Sequence, residues 1–338
     1  MIFHKLALLN ICYMPKLEII SQFKSLNYSQ QRDLLNQLQQ TLSSSRPILE
    51  HRNINACPHC ESEKLYKHAN YTAGGTRFKC VSCSKTFNEL TGTSLHGIHR
   101  KELWDGFIRL MLESKTIREI SKELKIAKQT ALDWRHKALS AFNELYTKQF
   151  KGVVETDDTY FRFNEKGKRG VVKYDRKLRG ISNQQVSVMV TADRYKSIDL
   201  KVVKLGRITT ETLERKLNLD RFNKSNIIYS DNSRIIKNLF RNLDIQHETF
   251  VAKEKYNGIV HVQNVNNLTR RLKDWIKFNF NNVSTKYLHN YLNWFMMIEV
   301  LKGQKNSEDK MWDYLMLSND SLSNFQKIEN EYKTFCKL

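Results

Sequence analysis

Apolar residues recur at helical spacing over residues 15–45, first as Leu17, Ile20, Phe23 and Leu26 and then as Leu34, Leu35, Leu38 and Leu42, before the breaker S-S-S-R-P at Ser43 to Pro47. This predicts a small helical lead-in over residues 1–50. A second amphipathic helix is expected over Lys101 to Glu113, with Leu103, Trp104, Phe107, Leu110 and Met111 on its apolar side. Thr116-Ile117-Arg118-Glu119 then forms a capping box that starts a short helix, Ile117 to Leu124. A turn at Lys125 to Ala127 leads into a longer helix from about Lys128 to Leu145. Short helix, tight turn and longer basic helix is the helix-turn-helix plan, which places Lys128, Gln129, Thr130, Asp133, Trp134 and Arg135 where base edges would be read. A plain helical hairpin competes with it, because the turn lacks glycine.

From residue 152 the pattern changes to β. Val153, Val154, Thr156, Thr159, Tyr160 and Phe161 favour a strand from Gly152 to Phe161 with apolar residues on both faces, as in a sheet centre. Glu155, Asp157 and Asp158 interrupt it. In a covered strand a carboxylate has to be paired, protonated or bound to a metal. Period-2 geometry puts Glu155 and Asp157 on one face and Thr156 and Asp158 on the other. Taken alone, the segment could equally be a strand end with solvated acids.

A second strand, Ser225 to Asp231, also runs an apolar core into an aspartate at its C-terminal end. Ligands of α/β sheets gather at such ends, and two aspartates delivered there suit Mg²⁺, which takes one or two carboxylates plus phosphate oxygens. Gln184 to Thr191 and Ile198 to Leu205 read as an antiparallel pair joined through Asp193-Arg194. Helices are expected over Thr209 to Leu217 and Ile235 to Leu243, with a short strand at Glu248 to Ala252. The last strong pattern is an amphipathic helix, His261 to Ile276, whose Asn266, Arg270 and Lys273 fall at i, i+4 and i+7 and so project from one face. That face either completes a metal-and-phosphate site or is merely solvated.

Composition narrows the partner. The 338 residues carry a net charge of +21, and an aromatic content of 11% is too high for a disordered basic tail. A folded chain this basic points to a polyanion, most often nucleic acid, against the alternative of a basic surface kept for solubility. Arg162 to Gly180 holds eight Lys/Arg, Lys168 and Arg169 among them, and reads either as a phosphate-tracking loop or as a solvated charge run. No apolar run approaches the roughly 18 residues of a membrane span. Leu6 to Met14 is short, contains Asn10 and lacks a small-residue cleavage site, which argues against a signal peptide, and Met14 is a possible second start.

Four of the six cysteines form two C-x-x-C knuckles, Cys57-Pro58-His59-Cys60 and Cys80-Val81-Ser82-Cys83. Their spacing is that of a four-thiolate zinc site, with the intervening Lys64 to Lys79 as the hairpin that joins the knuckles. A redox motif or a disulfide pair competes with zinc, and His59 and His68 are reserve ligands. Cys12 and Cys336 read as ordinary thiols.

Taken in order, Cys57 to Cys83, Leu90-Thr91-Gly92-Thr93, Trp104, E-T-D-D-T-Y-F, Arg179 to Ser182, S-D-N, H-V-Q-N-V-N-N with Lys273, and Lys286 to Phe295 resemble a bacterial insertion-sequence transposase of the ISXO type. The resemblance covers roughly residues 50 to 300. It implies an α/β chain in which a zinc ribbon (51–92) and a helix-turn-helix region (98–148) precede a ribonuclease-H-like catalytic domain (151–302), with a helical C-terminal tail (303–338). Asp157 and Asp231 match the family's two catalytic aspartates, Lys273 matches its later basic residue, and Asn266 stands where many members carry glutamate. The expected cofactors are Mg²⁺ or Mn²⁺ at the aspartates and structural Zn²⁺ at Cys57, Cys60, Cys80 and Cys83. The expected partner is double-stranded DNA, both element ends and target, bound as a homo-oligomer in the bacterial cytoplasm at the nucleoid. Lys128, Gln129, Thr130, Arg135, Lys168, Arg169 and Arg270 are the expected DNA contacts.

Overall fold

The computed structural model describes residues 16–45, 54–70, 76–93, 95–141, 149–165, 180–250, 261–317 and 325–337. The chain divides into two compact units, Met1–His51 and Arg52–Leu338. The first holds helices α1 (Lys16–Ser25) and α2 (Tyr28–Ser45). Asn27 separates them: its side chain accepts from the Gln30 N–H at 3.0 Å while its own N–H donates to Gln30 Oε1 at 3.2 Å, a reciprocal N-cap that restarts the helix.

The second unit begins with a three-stranded antiparallel sheet, β1 (Leu65–Asn70), β2 (Thr76–Cys80) and β3 (Thr86–Asn88). Three helices follow: α3 (Trp104–Leu112), α4 (Ile117–Glu123) and α5 (Lys128–Ala141), the last followed by residues 142–148, which lie outside the described residues. The expected first helix begins as a single 3₁₀ turn at Lys101–Leu103. Thr116 caps α4 with both halves of the capping box formed, as its sequence predicts. The turn that lacks glycine is made by Lys125 itself, which takes a left-handed φ of 52°, while Ser121 Oγ donates to the Ile126 carbonyl at 2.6 Å and closes the corner. α4 and α5 thus form a helix-turn-helix.

The α/β domain carries a five-stranded sheet of β4 (Val153–Arg162), β5 (Gln185–Asp193), β6 (Ile198–Leu205), β7 (Ile227–Asp231) and β8 (Gln246–Phe250), in the order β6-β5-β4-β7-β8. β4, β5 and β6 pair antiparallel, whereas β7 pairs parallel with β4, and β8 with β7. That is the sheet of a ribonuclease-H-like fold. Helices α6 (Thr210–Lys216) and α7 (Arg234–Asn242) cover one face, where Val154, Ile228, Leu213, Ile236, Leu239 and Phe240 form a core. α8 (Gln263–Phe280) and α9 (Leu288–Leu301) belong to the opposite face, which carries Glu155 and Asp157. α9 is covered nearly all round, and even its Asn290 and Asn293 are buried.

The C-terminal helices α10 (Ser307–Leu317) and α11 (Phe325–Lys337) are docked. Trp312 Nε1 donates to Asp105 Oδ1 at 2.7 Å and the Tyr332 hydroxyl to Glu165 Oε1 at 3.0 Å, so both helices pack against the body. Among the described residues no helix is long and apolar enough to cross a membrane.

Candidate active site

Two adjacent parallel strands bring the aspartates together. In the β4–β7 register Glu155 lies opposite Tyr229, and two residues further along the same pairing Asp157 stands level with Asp231, both on the face that α8 covers. Asp157 is half-buried and its N-terminal neighbours are fully buried, so its carboxyl sits where the strand emerges from the core. Burial raises its pKa to about 6, the charges of Asp231 and Asp158 push the same way, and the Asp158 N–H and Lys273 oppose them. Asp231, open to solvent at its strand end, is raised too, by desolvation first and by the Asp158 charge second. Two carboxylates that each raise the other's neighbourhood in negative potential form a site in need of a cation.

Asp158 points to the other face by strand parity, and its Oδ2 accepts from the Tyr160 hydroxyl at 2.5 Å. Lys273 reaches over β4 from α8, with Nζ 5.9 Å from the centre of the Phe161 ring. Asn266 and Arg270 are exposed on the same side of that helix, and Arg270 Nη2 donates to Asn267 Oδ1 at 3.4 Å. The structure therefore brings Asp157, Asp231 and Lys273 into one electrostatic neighbourhood, and leaves Asn266 on the solvent side of α8, its side chain without a hydrogen bond among the described residues.

Sequence reasoning weighed Glu155 only as one more acid in the strand, yet it anchors the site. Its buried carboxylate accepts from the Asn264 N–H at 2.9 Å, the Asn264 side-chain amide at 2.6 Å and the Val265 N–H at 3.4 Å, with His261 Nδ1 at 3.4 Å and Arg194 Nε at 4.0 Å. It caps α8 from 109 residues away. The signal available in sequence was the shared parity of Glu155 and Asp157, which put both under whatever helix covered that face.

The cysteines form one cluster. Cys57, Cys60, Cys80 and Cys83 place their sulfurs within 4.8 Å of one another, with Cys57–Cys83 and Cys60–Cys80 both at 3.6 Å. A tetrahedron of Zn–S bonds near 2.3 Å sets sulfurs about 3.8 Å apart, so the four thiolates fit zinc. Each knuckle ends in a left-handed residue, Glu61 at φ 59° and Ser84 at φ 58°, and the Ser62 and Ser82 hydroxyls bond across at 2.7 Å. The Cys83 N–H is the main influence that draws the Cys80 thiol down to about 6, toward the ligating thiolate.

The helix-turn-helix presents Lys128 and Gln129 at the exposed N-terminal end of α5, with Thr130 partly exposed. Arg135 is a correction. It is only 1% exposed, its Nη2 donates to the Lys115 carbonyl at 2.5 Å and its Nη1 to the Tyr291 hydroxyl at 3.4 Å, and its guanidinium lies 4.6 Å from the Trp294 ring. It cannot reach a base edge; it fastens α5 to α9. Beside it the His136 ring stacks on Tyr287 at 4.1 Å. Lys168 and Arg169 lie outside the described residues.

Residues 149–296, from just before β4 to the middle of α9, match the family model of the ISXO2-like transposase domain. Over these residues the chain is similar to that family. The chain is also 26% identical over 237 residues, 67% of its own length and 79% of the relative's, to an uncharacterized protein in transposable element ISH50 of Halobacterium salinarum. Among solved structures it is similar to a chain of the simian T-cell lymphotropic virus intasome in complex with PP2A regulatory subunit B56 gamma. That match has 14% identity and a TM-score of 0.29, over 56% of this chain and 66% of that one. It is similar as well to a chain of a pre-cleavage Mos1 transpososome, at 11% identity and a TM-score of 0.21, over 64% and 78%. The match encloses both aspartates, Asn266 and Lys273.

Proposed function

We propose that the chain is a transposase that binds the terminal inverted repeats of its element and catalyses DNA cleavage and strand transfer. The observation that supports this most is the β4–β7 register, which continued two residues sets Asp157 of β4 beside Asp231 at the end of β7, with the Asp231 and Lys273 charges both acting on Asp157. In the reaction an oxygen nucleophile, a water or a DNA 3′-hydroxyl, attacks a phosphodiester phosphorus in line with the leaving 3′-oxygen. Asp157 and Asp231 hold Mg²⁺ or Mn²⁺, which when bound activates the nucleophile and stabilises the leaving oxygen. Asp157 enters that role by losing a proton that its burial favours. Asn266 offers a neutral amide oxygen in place of a third carboxylate, and Lys273 holds a DNA phosphate. Lys128, Gln129 and Thr130 contact the repeats, and Lys168, Arg169 and Arg270 contact phosphates, in a homo-oligomeric complex with element ends and target. Zn²⁺ on the four cysteines is structural.

A second reading, a DNA-binding relative without catalysis, is favoured by the exposed amide of Asn266. Strand-transfer assays with Mg²⁺ or Mn²⁺ on the element's own ends separate the two. Metal-dependent joining that disappears in Asp157→Ala and Asp231→Ala, with DNA binding intact, upholds the first reading; joining retained in either variant removes it.

A further inference from the structure

A cavity of about 1330 Å³ opens at the β5–β6 turn beside the first turns of α8, lined by Lys151, the turn from Asp193 to Ile198, Asn264 and Asn267 of α8, and the C-terminal end of α9. Its charge is one-sided. Lys151, Arg194, Lys196, Arg271 and Lys302 line it against only Asp193 and Glu299. Both acids are already committed: Glu299 pairs with Arg271 at 2.9 Å, and Asp193 accepts from the N–H groups of Lys151, Tyr195 and Ser197 at 3.0, 2.9 and 2.7 Å. Asp193 is thereby the buried post that fixes the turn and presents its cations, with Lys196 at a left-handed φ of 71°. Lys151, Lys196 and Lys302 are exposed and make no ion pair among the described residues, and Tyr195, 70% exposed, offers an aromatic face between them. An aqueous groove with three uncommitted ammonium groups, amides and an exposed aromatic ring matches a phosphate backbone.

We propose that this groove is a second DNA-binding surface, which holds a duplex beside the one at the aspartates. At 100° per residue Asn264, Asn267 and Arg271 centre about 125° round α8 from Asn266, Arg270 and Lys273, so the two DNA segments meet different faces of one helix. The inference rests on the transposase reading, but its test needs no catalysis.

The experiment is the salt dependence of DNA affinity for full-length zinc-loaded protein carrying Lys151→Gln, Lys196→Gln and Lys302→Gln together. The control removes the same charge at Lys216, Lys224 and Lys333, which do not line the groove. Three lost phosphate contacts should lower the slope of log K against log salt by about 2.7, at ~0.9 per contact, and the control should leave it unchanged. In parallel, DNA should protect Lys151, Lys196 and Lys302 from acetylation in the native chain, a readout that no folding defect can imitate. Loss on unrelated as well as element-end duplex assigns the groove to target DNA; loss on the end duplex alone assigns it to DNA flanking the element. An unaltered slope together with unprotected lysines overturns the proposal, whatever the chain's cleavage activity proves to be.

Discussion

The carboxylate of Glu155 grips Asn264 twice, through its backbone N–H at 2.9 Å and its side-chain amide at 2.6 Å, so the strand that carries Asp157 also holds the first turn of the helix that carries Lys273. Removal of that grip leaves the part-buried Asn264 N–H and the buried Val265 N–H without their acceptor. Glu155→Ala should destabilise the domain by about 2–3 kcal/mol in urea unfolding, and Glu155→Gln, which keeps an acceptor, by less than half as much. Hydrogen exchange should quicken at residues 264–266 in the alanine variant before it does elsewhere.

The elevated pKa of Asp157 has a stability consequence with a definite sign. Its proton is bound more tightly in the folded than in the unfolded chain, so the contribution is fully present below pH 3.8 and is lost as pH rises through about 6. On the order of 3 kcal/mol is at stake, at ~1.36 kcal/mol per pKa unit. Metal-free protein should therefore lose stability between about pH 4 and 6, Asp157→Asn should flatten that slope, and added Mn²⁺ should restore stability above pH 6 in the parent chain but not in the variant. Equal slopes in the two chains would sink the assignment.

Zinc should be present at one ion per chain by elemental analysis. Chelation, or Cys60→Ser, should release it and abolish the chemical-shift dispersion of residues 54–93, because a cluster this small has only Cys57, Cys80 and Phe87 as its buried core.

Arg135→Ala leaves the Lys115 carbonyl and the Tyr291 hydroxyl unpaired and empties the space over Trp294. The expected loss is about 3–5 kcal/mol by thermal or urea unfolding, with no change in base preference for whatever protein remains folded. Gln129→Ala is the contrasting variant: base preference should change and stability should not.

The strands of both aspartates, the capping box of α4 and the thiolate cluster were legible because each is a local pattern: alternation, a four-residue cap, a knuckle. Arg135 was misread because its position near the start of a basic helix outweighed its heading. Ala131, Trp134, Arg135 and Ala138 fall at i, i+3, i+4 and i+7, a buried stripe that the sequence displayed openly. The anchoring role of Glu155 was not legible, since it depends on a partner 109 residues away. The docking of α10 was hidden for the same reason: Trp312 and Asp105 carry no local sign of each other.

The seam between α5 and α9, made by Arg135, His136 and Trp294, has an outcome for the DNA itself. On the proposed function, α5 and the acidic strands are joined as one solid piece, so the span from recognised bases to the cut phosphate is measured by protein, not by linker. Moving the recognised bases about 5 base pairs, half a turn of duplex, should turn the scissile phosphate to the wrong side of the double helix, and only a further 5 should bring it back round.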